Sequence, residues 1–305
     1  MKVKKIHNKL EQLINSLTIK ENHKTVLRRK ANDFYNELKR VSQYQKPYWS
    51  NIYLSTDSYK YTLERFWYGG SFDRGIFIKS RFDIDIYFVF NKNITPYNNP
   101  NNQNNLNGSL LFELIYSHLK TYQFYHKMNM KILKEPPYGH AIPIRMDYQG
   151  VSILFDCIPA IEFPNGYLVI PNGIGGTKKV NPHLEEQALS KLNRMQDGKI
   201  IKLILLIKYW NFTWGKSLKG YLIERLVESI FDKIEIHTWD RAVRTFFSRA
   251  INIIAKKKIL HDRVYIQYSI LDEYSSKKLD YFLEVLREAG SYAQDGKWEE
   301  LFDEL

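Results

Sequence analysis

The chain has 305 residues, of which 44% are hydrophobic and 26% are charged, as is usual for a folded globular protein. No apolar run approaches the roughly 20 residues that span a bilayer, and the basic N-terminus lacks the pattern of a signal peptide. The single cysteine, Cys157, excludes an internal disulfide framework and a cysteine-rich zinc cluster. We therefore expect a cytoplasmic protein that does not contact a membrane.

The net charge of +12 narrows the class of partner without fixing it. A basic surface raises the local concentration of anions, such as nucleotides or nucleic acid. A simple solvated surface would have the same composition. Charge alone therefore does not separate a nucleotide enzyme from a nucleic-acid-binding protein.

Helical periodicity dominates both ends of the chain. The first 45 residues predict two helices, with Thr18 and Glu21 forming a capping box at the start of the second. Asn181 and Pro182 are typical of a helix start. The remaining segments with helical periodicity are residues 110–123, 199–212, 217–232, 239–258 and 276–290.

The middle of the chain predicts strands. The segment ERFWYGGS resembles a strand that runs into a glycine turn, and DIDIYFVF is the next strand. Residues 140–163 predict two strands joined by a turn, and the Asn-rich residues 95–108 predict a mobile loop. The fold class is therefore α+β, with a small mixed α/β module between an N-terminal helix and a helical C-terminal half.

Two carboxylates stand at the start of an apolar strand. Asp83 and Asp85 project from the same face, because side chains alternate along a strand with a period of two. Two like charges so close together repel each other unless a cation lies between them. The pair therefore points to a metal site.

A third carboxylate interrupts the later strand VSILFDCIPA. Asp156 shares its face with Ser152 and Leu154, and it can join Asp83 and Asp85 if the two strands are neighbours. Three carboxylates around one point suit Mg²⁺, which prefers oxygen ligands and usually also binds substrate phosphates.

The turn before these strands contains Gly69, Gly70 and Ser71. Glycines let the backbone approach an anion closely, and the serine hydroxyl can donate to a phosphate oxygen. With two Mg²⁺ ions, one can activate an attacking hydroxyl while the other stabilises a triphosphate leaving group. Asp156 could also help to deprotonate that hydroxyl.

The order Gly-Ser, Asp-x-Asp and then a separate strand aspartate resembles the nucleotidyltransferase superfamily that includes DNA polymerase β. Within it, residues 167–211 resemble the bacterial cyclic-oligonucleotide synthases, or CD-NTases, which are relatives of oligoadenylate synthase and cyclic GMP-AMP synthase. The resemblance rests on DCIPA, an IP strand, an NP helix start, an LN helix and the KYWN helix, in that order. It covers roughly residues 60 to 232.

The resemblance implies a polymerase-β-like core with a mixed sheet and a long N-terminal spine helix over residues 1–180, followed by a helical lobe over 181–305. It implies that Gly70 and Ser71 bind triphosphate, and that two Mg²⁺ ions, which Mn²⁺ can replace, bind to the three aspartates, Asp83, Asp85 and Asp156.

The resemblance also assigns residues of the helical half to the donor nucleotide. Lys208 matches a lysine that reaches the donor phosphates, and Tyr221 matches an aromatic ring that stacks on the donor base. Two positions depart from the family: Gly75-Ile76 replaces a frequent Gly-Thr pair, and Lys219-Gly220 replaces a serine before the tyrosine. Lys219 could substitute as a phosphate ligand.

The implied function is the joining of NTPs into a cyclic or short linear oligonucleotide, with release of pyrophosphate. The family works in bacterial anti-phage signalling, where the product activates a separate effector protein. The basic surface would also suit an activating RNA, whereas DNA is not an expected partner.

Three alternatives keep the same motifs. They are a template-independent RNA-tailing enzyme, a catalytically silent nucleotide or RNA sensor, and an enzyme that transfers a nucleotide to a protein or small molecule. Cations between the serine and the aspartates, namely Arg74, Lys79 and Arg81, are expected to be solvated. His140 and His183 are isolated in the sequence and predict no metal site.

Overall fold

The structure is a computed structural model of the chain. It describes residues 2–44, 60–77, 83–93, 108–126, 130–133, 140–148, 151–163, 166–172, 176–215, 217–264, 269–303 and 305. The Asn-rich loop predicted over 95–108 lies outside the described residues except for Gly108, and so do Lys79 and Arg81.

Helices lie at both ends of the chain and strands lie mainly between them. The helices are α1 Lys2–Leu17, α2 Glu21–Tyr44, α3 Gly70–Asp73, α4 Gly108–His126, α5 Pro182–Met195, α6 Lys199–Thr213, α7 Gly220–Phe231, α8 Trp239–Ala255, α9 Ser276–Asp295 and α10 Trp298–Leu301. The strands are β1 Lys60–Gly69, β2 Asp83–Asn93, β3 Met130–Ile132, β4 Ile142–Tyr148, β5 Val151–Glu162, β6 Leu168–Pro171 and β7 Thr177–Val180.

The strands described by the structure form one mixed sheet in the order β1-β2-β5-β4-β3, with β6 pairing with β5 and β7. The pair β2 and β5 is parallel, and the other pairs are antiparallel. Together with the helices before and after the sheet, this arrangement confirms the predicted α+β fold class.

Alternation along β2 and β5 decides which side chains enter the core. Ile84, Ile86 and Phe88 of β2 are fully buried, and Phe155 of β5 is 1% exposed. Phe34 of α2 stacks near Phe155, with ring centroids 5.7 Å apart, and meets Phe88 edge to face at 6.1 Å. Helix α2 therefore covers the apolar face of the sheet, and the aspartates are left on the opposite face.

The helices of the C-terminal half bury a separate core. Helix α6 is buried along most of its length, and Trp210 at its end is fully buried. The Trp210 ring meets the ring of Phe247 on α8 edge to face, with centroids 4.8 Å apart. Among the described helices, none has both the length and the apolar character needed to cross a membrane.

The connection between α1 and α2 differs from the expected capping box. Thr18 Oγ1 donates to the carbonyl oxygen of Ile14 at 2.9 Å, so the side chain closes the end of α1. Helix α2 begins only at Glu21. The capping role predicted for Thr18 is therefore wrong, because a hydroxyl four residues after a helical carbonyl is equally able to bond backwards.

The chain divides into two compact units. One comprises Met1–Ile19, Arg74–Arg81 and His183–Leu305, and the other comprises Lys20–Asp73 and Phe82–Pro182. We call them the helical unit and the sheet unit. The functional domain bounds 1–180 and 181–305 stay a prediction, since compactness alone does not define a functional domain.

Candidate active site

A row of three residues crosses the centre of the sheet unit. Gly69 of β1 is the register partner of Asp85 of β2, and Asp85 is the register partner of Asp156 of β5. Register partners on neighbouring strands project from the same face of a sheet, and Asp83 shares that face because it lies two residues before Asp85. All three carboxylates therefore stand on one face of the sheet, as expected.

The turn after β1 favours glycine at Gly70. Its φ is +60°, in the left-handed region, where it begins the short helix α3. A Cβ atom at this position would lie 1.5 Å from Oδ2 of Asp85. The backbone at Gly70 therefore touches the carboxylate row directly, which requires the absence of a side chain.

Ser71 follows Gly70 and is partly exposed, in the first turn of α3. The next residue, Phe72, is 1% exposed, and its ring lies 5.8 Å from the ring of Tyr68 on β1. Burial of Phe72 anchors this short turn on the sheet. The anchor holds the backbone of Ser71 directly after Gly70, the residue that approaches the Asp85 carboxylate.

The surroundings of Asp156 disfavour its ionised form. Burial and the neighbouring Asp83 carboxylate raise the pKa of Asp156 from 3.8 to about 6. Both causes disfavour the ionised form, since neither removing water nor adding a like charge stabilises a carboxylate. A hard cation bound on this face would stabilise the ionised carboxylate against both effects.

The donor set of this face fits a hard divalent ion such as Mg²⁺. Its carboxylate oxygens are the ligands that Mg²⁺ prefers, and Asp83 adds to the effect of burial in raising the pKa of Asp156. Within the described part of the chain, no three His, Cys, Asp or Glu side chains are grouped closely enough to enclose an ion. The metal assignment of Asp83, Asp85 and Asp156 therefore stays a prediction, supported by the shared face and the donor chemistry.

The helical unit contains a buried ionic network around Glu224. Lys208 Nζ of α6 donates to Glu224 Oε1 at 2.7 Å and to the carbonyl oxygen of Ile76 at 3.1 Å. Arg74 Nη2 donates to Glu224 Oε2 at 2.8 Å, and Arg74 Nη1 donates to Glu185 at 3.0 Å. Lys208 is thus held in position by two partners and is only 11% exposed at its side chain.

Glu224 balances the two cations. Burial by itself would raise the pKa of Glu224, but Lys208 and Arg74 together hold it below its usual value. For Glu185, burial dominates over the opposing effect of Arg74, and its pKa is raised. Glu224 is therefore the ionised centre of the network.

The expectation that Arg74 is solvated is wrong. A cation between the serine and the aspartates was expected to be solvated, yet the Arg74 side chain is 7% exposed and bonded to two glutamates. The reason is that both carboxylates of the network come from helices distant in sequence, which local sequence cannot reveal.

The two remaining donor-site candidates also belong to the helical unit. Tyr221 is partly buried in α7, and its hydroxyl lies 3.3 Å from Oδ2 of Asp262. Burial, with Glu185 and Asp262 nearby, raises its pKa, so the phenol stays neutral. Lys219 is exposed, and its ammonium lies 5.4 Å from the centre of the Tyr274 ring. Their roles toward a nucleotide stay predictions.

Sequence reasoning missed Glu224 as a functional candidate, although a signal was present. On α7 this acid lies among Leu222, Ile223, Leu226 and Val227, which are fully buried. A glutamate within an apolar helical stretch needs a buried cation as partner. The identity of that partner, Lys208 together with Arg74, required the tertiary structure.

Comparisons with known proteins agree on the fold. Over 97% of both chains, the structure matches CdnC of Escherichia coli MS115-1, solved with ATP, with a TM-score of 0.72 and 14% identity. It also matches DncV of Vibrio cholerae, a cyclic AMP-GMP synthase, with a TM-score of 0.63 and 12% identity over 93% of this chain and 88% of that one. This chain has the CD-NTase fold.

One curated relative extends the likeness to sequence. A probable cyclic nucleotide synthase of Bacillus cereus strain VD146 is 28% identical in an alignment of 203 residues that covers 58% of this chain. The chain spans 59% of the length of that relative. No protein-family model matches the chain. The resemblance to CD-NTases expected from the sequence is confirmed.

Proposed function

We propose that the chain is a divalent-metal-dependent nucleotidyltransferase that joins NTPs into a cyclic or short linear oligonucleotide and releases pyrophosphate. The observation that carries the proposal is the register of Asp85 with both Gly69 and Asp156 across three strands. It sets three carboxylates on the face beside the Gly70 turn, within a CD-NTase fold.

The sheet unit would hold the reacting phosphates. Asp83, Asp85 and Asp156 would bind two Mg²⁺ ions, which supply Lewis-acid activation of the acceptor hydroxyl and neutralise charge on the triphosphate. Gly70 brings the backbone close to the row, and the Ser71 hydroxyl would donate to a phosphate oxygen. Asp156 would also help to deprotonate the acceptor hydroxyl.

The helical unit would bind the donor nucleotide. Glu224 and the Ile76 carbonyl oxygen hold the Lys208 ammonium in one position, from which it would contact donor phosphates. The Tyr221 ring would stack on the donor base. Such stacking accepts any of the four bases, because each has a π-face. Lys219, which is exposed, would add a phosphate contact at the start of α7.

The setting proposed for this activity is bacterial anti-phage signalling, in which the oligonucleotide activates a separate effector protein. The net charge of +12 supports RNA as an activator, because a basic surface attracts a polyanion. Stimulation by RNA that disappears as salt is raised would support this part.

The experiment is incubation of the purified chain with all four NTPs and Mg²⁺ or Mn²⁺, followed by mass spectrometry of the products. We expect oligonucleotides that resist phosphatase, formed without an RNA primer. Asp85→Asn should abolish them, and Asp147→Asn is the matched control because Asp147 is an exposed aspartate on β4 of the same sheet.

Other outcomes would assign a different activity. Strict dependence on an RNA primer, with label incorporated into the RNA, would identify a tailing enzyme. Nucleotide binding without any product under all conditions would identify a silent sensor. A mass increase of one nucleotide on a co-expressed protein would identify transfer to a protein.

A further inference from the structure

A cavity lies within the helical unit, formed without any residue of the candidate active site. It has a volume of about 560 Å³. One wall is a face of α8, and the others are the 231–237 segment before α8 and Gln294 of α9. A cavity of this size falls in the range of about 300–1,000 Å³ that small-molecule sites occupy.

The cavity concentrates positive charge. Lys233, Arg241, Arg244 and Arg249 line it, whereas the only carboxylate in its lining is Glu235, which lies 3.6 Å from His237 Nδ1. None of the four cations is paired with a carboxylate of the described residues. Four cations facing one space repel each other unless an anion or water lies between them.

Three other arginines of the helical unit form ion pairs with glutamates. Arg74 is paired with Glu185 and Glu224, and Arg225 and Arg263 are both paired with Glu228. The helical unit therefore supplies a carboxylate partner where an arginine is structural. The cavity arginines lack that partner.

Arg244 is held in place at the wall of the cavity. Its guanidinium carbon lies 5.4 Å from the centre of the Trp298 ring, and Trp298 is 7% exposed. Its Nε atom is buried and has no hydrogen-bond partner among the described residues. The ring contact restricts the Arg244 side chain, so less side-chain entropy would be lost when its guanidinium binds an anion in the cavity.

The neutral lining completes an anion site. Thr245 and Ser248 lie on the face of α8 that carries the arginines, at spacings of three and four residues that bring side chains to one side of a helix. Their hydroxyls and the Gln294 amide can donate hydrogen bonds to phosphate oxygens between the guanidinium groups.

We propose that this cavity binds a compact phosphate-bearing anion, of the size of a nucleotide or an oligophosphate, at a site distinct from the carboxylate row. Arg241, Arg244 and Arg249 bind its phosphate oxygens, and Thr245 and Ser248 add hydrogen bonds. The concave shape favours a small anion over an RNA helix, because duplex RNA is recognised through shape and backbone contacts across an extended surface.

The test is isothermal titration calorimetry of the full chain with inorganic tripolyphosphate in EDTA, which keeps divalent ions from the carboxylate row. Arg241→Gln/Arg249→Gln changes two exposed side chains and should raise the apparent Kd by about tenfold or more. Arg287→Gln is the matched control, since Arg287 is an exposed arginine of α9 outside the cavity lining, and it should leave the Kd unchanged.

ATP and a single-stranded RNA of about 20 nucleotides serve as further probes, because an RNA of this length covers a single-domain site of up to about 16 nucleotides. ATP affinity falling in parallel with tripolyphosphate affinity would support a nucleotide-sized ligand. Equal tripolyphosphate affinity in the wild type and the double variant, or no binding to either, would overturn the proposal. Loss of RNA binding alone in the double variant would overturn it in favour of an RNA surface.

Thermal melts by circular dichroism accompany every variant. If the double variant melts early, the single Arg241→Gln variant gives the same readout with one exposed side chain changed. The test measures binding without turnover, so its result is independent of whether the chain joins NTPs.

Discussion

Asp85 and Asp156 are direct register partners on the adjacent parallel strands β2 and β5. Backbone hydrogen bonds of this parallel pair place the two residues at adjacent positions, and both side chains project from the same face of the sheet. Burial and the Asp83 carboxylate raise the pKa of Asp156 to about 6, so the ionised form of Asp156 destabilises the folded chain. Such a cost is expected where the charged groups serve a ligand.

Asp156→Asn should raise the melting temperature of the metal-free protein at pH 8. The pKa of Asp156 is raised from 3.8 to about 6 in the folded chain, so its ionisation destabilises the fold as the pH rises through this window. The gain of the variant should be complete above about pH 6 and should vanish below about pH 4. Melting curves in EDTA across this range provide the measurement.

Addition of Mg²⁺ should reverse the order of stability. Bound metal stabilises only the folded protein, so the wild type should gain melting temperature while Asp156→Asn gains less. Asp147→Asn, which changes an exposed residue of β4, should respond to Mg²⁺ as the wild type does. Equal responses of all three proteins would contradict the metal assignment.

Gly70→Ala should reduce nucleotide transfer by at least about a hundredfold, because the new Cβ would collide with the Asp85 carboxylate and displace it. Gly198→Ala is the matched control. Gly198 also has a positive φ, of +78°, but a Cβ there meets nothing within 4 Å. Both variants should lose about 1–2 kcal/mol from backbone strain, and only Gly70→Ala should lose activity.

An equal loss of activity in both glycine variants would show that backbone strain, and not contact with Asp85, limits function. Unchanged activity in Gly70→Ala would contradict the close approach of the turn to the carboxylate row. Product formation is measured by mass spectrometry at matched folded-protein concentrations.

Local sequence was sufficient to predict the sheet face of the site. The period of two along DIDIYFVF and VSILFDCIPA fixed which side chains share a face, and the apolar partners at Ile84 and Phe155 indicated which face is buried. That β2 and β5 are neighbours was a hypothesis, because strand order depends on long-range pairing. The structure confirms that pairing.

The ion pairs of the helical unit were less predictable, because they too depend on long-range pairing. The partners of Arg74 come from α5 and α7, more than a hundred residues away in sequence. No periodicity within one segment records such a pairing. The hydroxyl of Thr18 could bond backwards to α1 or forwards to the start of α2, and it bonds backwards because α2 begins only at Glu21.

Glu224→Gln should destabilise the chain by on the order of 3 kcal/mol at pH 7, because Lys208 and Arg74 would keep buried charges without their shared partner. The lowered pKa of Glu224 means that its stabilising charge is fully present above 4.5 and is lost at lower pH. The deficit of the variant should therefore shrink on acidification. Urea unfolding at pH 7 and pH 4 measures both effects.

Glu284→Gln is the control for charge removal, since Glu284 is an exposed residue of α9. It should change the free energy of unfolding by less than about 0.5 kcal/mol. A similar small change for Glu224→Gln would show that the buried network contributes little to stability.

Tyr221→Ala should raise the KM for NTP by about tenfold, whereas Tyr221→Phe should stay within about twofold, because base stacking needs the ring and not the hydroxyl. The phenylalanine variant removes only the contact between the hydroxyl and Asp262. Equal effects of the two changes would assign the role of Tyr221 to its hydroxyl. An unchanged KM in the alanine variant would exclude stacking.

The most direct test of the carboxylate row is a crystal structure with Mn²⁺ and a non-hydrolysable NTP analogue, in which anomalous scattering locates the metal. We expect Mn²⁺ about 2.1–2.2 Å from oxygens of Asp83 and Asp85 and from a phosphate oxygen, with the Asp156 carboxylate turned toward the same ions. Manganese bound elsewhere, or an Asp156 side chain directed away from both neighbouring aspartates, would contradict the proposed enzyme.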